Sequence, residues 1–251
     1  MDVSWPHAAP PGRPAVSDKC ASGSLPSAAM QALPLAQVLT LSNAQIVIEA
    51  AATLAFAASG LLAAARKRLD AVGVCIVSGL AAFGGGTLRD VLLDRRPFFW
   101  VEHAGWLWAL LALCVAAMLF LRTRHFAATE RAMQWPDAFG LGLFAASGTQ
   151  IALQADVPAV VAVLMGTMTA VFGGVLRDIV CNEIPRAFSD HQPYAVCAFM
   201  GAWVVVLGHR LAMDDWLGMV AGASTAVLLR AVALWTGWTL PAWHTGDERR
   251  S

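Results

Sequence analysis

Arginine followed directly by aspartate occurs twice inside apolar, glycine-rich stretches, Phe83-Gly84-Gly85-Gly86-Thr87-Leu88-Arg89-Asp90 and Val171-Phe172-Gly173-Gly174-Val175-Leu176-Arg177-Asp178. Glycine weakens a helix by roughly 1 kcal/mol relative to alanine, and ions resist transfer into apolar surroundings. The chemistry on offer is binding and permeation: loosened helix backbone presents carbonyls and amides to a small solute, and the ions supply fixed charge. Neither GxGxxG nor the P-loop pattern is present, so a phosphate cradle is not indicated. No HExxH, no GxSxG and no pair of acids spaced for proton transfer occurs, which argues against an enzyme and leaves no catalytic residue to name. The five cysteines show no CxxC or Cys/His ligand spacing, and the six histidines fall in tails and loops. The sequence therefore calls for no metal and no cofactor.

The two motifs are copies of one unit. Arg89 to Arg177 is an offset of 177 − 89 = 88, which also superposes Pro97 on Pro185 and Phe56-Ala57-Ala58-Ser59-Gly60 on Phe144-Ala145-Ala146-Ser147-Gly148 without a gap. A register held this long implies duplication. Pro97 and Pro185 follow their motifs by a few residues, where proline ends a helix and begins a loop.

Composition states what must position these motifs. With 58% hydrophobic residues, 14% charged and a mean hydropathy of +0.60, the chain is that of a membrane protein. Zero formal net charge suggests no nucleic-acid partner. A helix needs roughly 20 apolar residues to cross a bilayer. Seven stretches qualify or nearly so: about 44–65, 71–93, 105–121, 137–153, 158–181, 193–207 and 216–238. The expected class is an all-α integral membrane protein. Residues 1–42, rich in Pro, Ala and Ser, read as a disordered tail, and Met30 is an alternative start. The first repeat then spans 43–134, the second 135–212, a seventh helix 213–238 and a C-terminal tail 239–251.

Three crossings per unit place the second copy upside down, so the halves form an inverted 3+3 repeat with one extra helix. With the N-terminus outside, inner segments carry nine Lys/Arg and outer ones five. That bias predicts N-out and C-in in the inner (plasma) membrane. Trp100, Trp106, Trp135, Trp216, Trp238 and Trp243 fall near predicted helix ends, as interfacial tryptophans do. Gly84, Gly85 and Gly86 sit mid-span in the second helix, and Gly173 with Gly174 in the fifth. They signal either a break or kink at the bilayer centre or a close helix crossing. Arg89 with Asp90, and Arg177 with Asp178, act either as structural clamps or as lining of a path. Neighbouring residues point about 100° apart on a helix, so neither arginine need pair with the aspartate beside it. Glu49 in the first span is a carboxylate at unusual depth. Thr53, Ser59, Ser147, Thr149, Gln150, Thr167 and Thr169 either line a conduit or bond to their own helices.

On these motifs the sequence resembles the bacterial membrane proteins built of two glycine-transporter domains, which are similar to the trimeric intracellular cation (TRIC) channels. The resemblance covers about residues 43 to 238. It implies a homotrimer in the lipid bilayer, each protomer with its own pore formed by the first, second, fourth and fifth helices. Potassium or other monovalent cations would be conducted, with Gly84, Gly85, Gly86, Gly173 and Gly174 at kinks and Arg89, Asp90, Arg177, Asp178 and Glu49 as the charges near the path. Phe172 stands where the first copy has Gly84, which implies unequal gates. The alternative is a transporter of a small glycine-like amino acid, because a broken helix also presents an amide end to a carboxylate.

Overall fold

A computed structural model describes residues 35–120, 130–189 and 192–239 of the chain. Most of the expected N-terminal tail, Met30 and Trp243 lie outside them. Every regular element among the described residues is a helix. In chain order these are α1 (Leu35–Arg66), α2 (Ala71–Leu92), α3 (Phe99–Glu102), α4 (Gly105–Phe120), α5 (Glu130–Gln154), α6 (Ala159–Val180), α7 (Arg186–Ser189), α8 (Tyr194–Arg210) and α9 (Asp215–Thr236).

The seven longer helices coincide with the seven expected stretches, with two differences at their starts. Helix α1 begins at Leu35, inside the stretch expected to be tail. Leu35-Ala36-Gln37-Val38-Leu39 is good helix material, and a proline preceding it, Pro34, is tolerated at a helix start. Helix α5 begins at Glu130 and carries Pro136 inside it, where the sequence suggested a start near 137. Four helical segments are individually long and apolar enough to cross a membrane: Asn43–Arg66, Ala71–Leu92, Ala159–Val180 and Asp215–Thr236. Helices α4 and α8 are shorter and apolar.

The duplication is visible in three dimensions. Helices α1 to α4 correspond to α5 to α8, and even the turns match: Arg68 and Asp156, 88 apart, both have left-handed φ, as do Asp94 and Asn182. Phe56 of α1 stacks on its own repeat mate, Phe144 of α5, at 5.6 Å between centroids. A Cβ on Gly85 would meet the Thr169 carbonyl oxygen at 2.0 Å, and one on Gly173 would meet the Ala81 oxygen at 2.4 Å. Ala81 and Thr169 are also 88 apart. Reciprocal contacts of this kind are what a twofold axis produces, and the axis passes between Phe56 and Phe144. Helices α1, α2, α5 and α6 surround it, α8 and α9 pack beside α5 and α6, and α4 rests on α2.

Burial is inverted relative to a water-soluble domain. Among fully buried side chains the largest are Arg89, Arg177 and Arg230, while Trp108, Leu119, Leu228 and Trp235 face outward. Apolar surface turned outward, around a few buried ions in an otherwise largely apolar core, fits a lipid surround.

Candidate functional site

At the C-terminal end of α2, the Arg89 guanidinium is buried between two carboxylates. Its Nε donates to Asp90 Oδ1 at 2.9 Å, and its Nη1 donates to Glu49 Oε1 on α1. Asp90 Oδ2 in turn accepts the backbone N–H of Phe99 at 3.1 Å. The Phe99 ring lies under the guanidinium, 5.8 Å from Cζ to centroid. One aspartate thus ties the arginine beside it to the first residue of α3, and so fixes how the chain returns after α2.

The end of α6 repeats the construction. Arg177 Nε donates to Asp178 Oδ1 at 2.8 Å, Asp178 Oδ2 accepts the Arg186 backbone N–H at 3.1 Å, and Arg177 Nη1 donates to Asp137 of α5 and to the Ser59 hydroxyl of α1. Helix geometry does not require either arginine to pair with the aspartate beside it, yet each folds back on the aspartate that follows it. A long guanidinium stem spans the angular gap, and in an apolar interior an unpaired ion would cost several kcal/mol.

The sequence singled out Arg89, Asp90 and Glu49, which converge at one end, and Arg177 and Asp178, which converge at the other. It did not single out Asp137. The signal was present, because adding 88 to Glu49 gives Asp137, with aspartate in place of glutamate. The arginine-to-acid spacing is 40 residues in both copies.

Both glycine-bearing helices are continuous: α2 runs unbroken through Gly84, Gly85 and Gly86, and α6 through Gly173 and Gly174. The opened backbone anticipated there is absent. Removing a Cβ weakens a helix only modestly when its ladder of hydrogen bonds stays intact, and here it lets α2 and α6 touch backbone to backbone. Gly85 and Gly173 make that crossing. Gly86 accommodates the Phe99 ring, which a Cβ at that position would meet at 2.4 Å, and Gly174 the Tyr194 hydroxyl, which a Cβ would meet at 2.8 Å. Gly84 faces Leu176.

Most hydroxyls take the local option. Thr53, Thr149, Thr167 and Thr169 each donate to the carbonyl four residues earlier. Ser78 Oγ, Ser147 Oγ and Gln150 Nε2 are buried without a hydrogen-bond partner. Beside Glu49 opens a cavity of about 180 Å3 lined by Gln45, Ile46, Glu49, Arg95, Phe99, Glu102, His103 and Trp106. A larger apolar groove, about 670 Å3, runs between α2, α4 and α6 past Gly84 and Phe172. Outside the spans, Glu183 in the turn after α6 pairs with Arg66 and with Lys67, the latter at 2.9 Å. Burial pushes its carboxyl up, but the Lys67 hydrogen bond and the Arg66, Lys67 and Arg186 charges outweigh that and hold it below the ordinary value of 4.5.

Comparison with known proteins adds a family to this geometry. The glycine-transporter family profile matches residues 46–124 and 134–210, one match per repeat. A UPF0126 membrane protein of Vibrio cholerae is 30% identical over 71% of this chain and 74% of its own length. The UPF0126 inner membrane protein YadS of Escherichia coli K12 is 28% identical over 74% of this chain and 90% of its own. Among solved structures, the TRIC trimeric intracellular cation channel orthologue from Rhodobacter sphaeroides superposes with a TM-score of 0.73 at 34% identity, covering 77% of this chain and 98% of that one.

Proposed function

The chain belongs to the glycine-transporter family of membrane proteins, in its bacterial TRIC branch, and from that premise we propose that it is a channel for monovalent cations, chiefly potassium. Each protomer of a homotrimer carries its own path, which crosses the membrane among α1, α2, α5 and α6, perpendicular to the repeat axis. The observation that carries this reading is the pair of buried clusters related by the repeat. In each, two carboxylates face one bridging arginine: Glu49 and Asp90 around Arg89, Asp137 and Asp178 around Arg177. With all groups ionised, each trio holds one excess negative charge in surroundings of low dielectric, which favours cations over anions.

In this reading Arg89, Asp90, Arg177 and Asp178 clamp the two ends, Glu49 faces the entering ion, and Gly84, Gly85, Gly86, Gly173 and Gly174 set the narrow crossing between them. Seven helices cross the inner membrane, N-terminus outside and C-terminus in the cytoplasm, with the repeat axis in the membrane plane. The family matches are to channel and transporter proteins rather than enzymes. A second reading, a carrier of a small zwitterion such as glycine, draws support from the cavity in which carboxylates and the Arg95 guanidinium meet. Purified protein in proteoliposomes, assayed in parallel with potassium, sodium and glycine, separates the two. Potassium flux with unitary currents in a planar bilayer is the expected result. Saturable glycine uptake with no unitary conductance overturns it.

A further inference from the structure

Helices α1, α2, α6 and α5 close a ring in which each packs on two neighbours, so that α1 faces α6 and α2 faces α5 across the middle. Whatever passes among the four must pass between those facing pairs. At the Arg177 end the facing pair is bonded twice. Arg177 of α6 donates to the Ser59 hydroxyl of α1, well inside the bundle. At the rim, Glu183 in the turn after α6 accepts from Arg66, the last residue of α1, and pairs with Lys67 at 2.9 Å. The Arg186 charge adds to the hold on Glu183.

Neither bond has a counterpart at the Arg89 end. The register maps Ser59 onto Ser147 and Arg177 onto Arg89, yet Ser147 Oγ is buried with no hydrogen-bond partner. Arg89 turns its Nη1 to Glu49 of the neighbouring α1 instead of to the facing α5. The rim bond is lost in the sequence itself. Glu183 maps onto Arg95, and Arg66 with Lys67 onto Gln154 with Ala155, which leaves one cation and no acid to meet it. Arg95 lines the cavity of about 180 Å3, which opens at this end.

We infer that the path has its gate at the Arg177 end, held shut by a latch of two bonds between α1 and α6: Ser59 with Arg177 at depth, and Arg66 and Lys67 with Glu183 at the rim. The inference rests on the channel reading and names where that channel closes. A hydrated ion passes this mouth only when α1 and α6 draw apart, and both bonds break when they do. Contacts made in one state alone bias the equilibrium toward that state, so the latch favours the closed mouth by its own strength. The Arg89 end, with neither bond, carries no such bias.

The test is single-channel recording of the full chain in planar bilayers in potassium chloride, with melting followed on the same preparations. Glu183→Gln raises the ratio of open to closed time roughly two- to fivefold, the range that a partly exposed ion pair supports. Ser59→Ala, which removes a hydrogen bond to a charged group, raises it by a larger factor. Arg66→Gln with Lys67→Gln reproduces the Glu183→Gln effect and adds nothing in the Glu183→Gln background, as partners in one bond require. If Ser59→Ala fails to fold, the cycle on Glu183 decides. A purely structural role lowers the melting temperature and leaves the ratio where it was; that result overturns the latch, as does an additive cycle. Wild type that conducts with the same ratio as Glu183→Gln sinks the latch and spares the channel. Folded wild type and folded Glu183→Gln that both pass no current sink the two together.

Discussion

At the scale of single residues, the two clamp aspartates matter more than their position beside an arginine suggests. Asp178 satisfies Arg177 and the Arg186 backbone at once, so Asp178→Asn leaves a buried cation short of its partner. The expected loss is about 3–5 kcal/mol, read as a sharply lowered melting temperature in detergent. Glycines can be ranked the same way. Gly85→Ala drives a Cβ into the Thr169 backbone and costs at least the upper part of the ~1–3 kcal/mol overpacking range, whereas Gly105→Ala, with nothing within 4 Å, is neutral or mildly stabilising. Comparing the two melts checks the claim that Gly85 serves a crossing rather than a break. Asp137 could have been named from the sequence by carrying Glu49 through the register. That Arg89 and Arg177 turn back on Asp90 and Asp178 could not, because helix geometry alone points adjacent side chains apart and only a dry interior makes the detour worthwhile.

At the scale of elements, the seven longer helices were legible because apolar runs of membrane length are a strong signal, and the repeat because its register is ungapped. Helices α3 and α7 were not: four residues carry no periodicity, yet Phe99 of one and Arg186 of the other complete the clamps. The glycine runs were read in part as breaks because propensity counts what a helix loses and not what its neighbour gains by coming close. Two predictions belong here. Phe144→Ala removes half of the stacked pair on the axis and costs about 3–5 kcal/mol; if the ion path crosses the axis at that pair, residual flux rises despite the lost stability. The Glu183 contact with Arg66 and Lys67 joins the end of α1 to the turn after α6. Because the folded carboxyl sits below its ordinary value of 4.5, its stabilising contribution is fully present above that value and disappears as pH falls through the lower folded value. A melting profile against pH that is flattened by Glu183→Gln only in that acidic window is the expected outcome.

At the scale of the whole molecule, the inverted pattern of exposed tryptophan and buried arginine calls for a membrane. The homotrimer remains a proposal whose test is the mass of the detergent-solubilised particle, expected at three chains of 26.5 kDa. Orientation can be checked with cytoplasmic and periplasmic reporters fused after Ser251, active on the cytoplasmic side if nine inner basic residues outweigh five outer ones.

The bare crossing at Gly85 and Gly173 limits how such a molecule can move. Two rods touching at a point without intervening side chains have no teeth to ratchet over one another. Sliding either along its length would drive the Ala81 or Thr169 oxygen against the neighbouring backbone. Pivoting about the contact meets no such obstacle. Were α2 and α6 to pivot there like scissor blades, the clamps toward their C-terminal ends would swing with them.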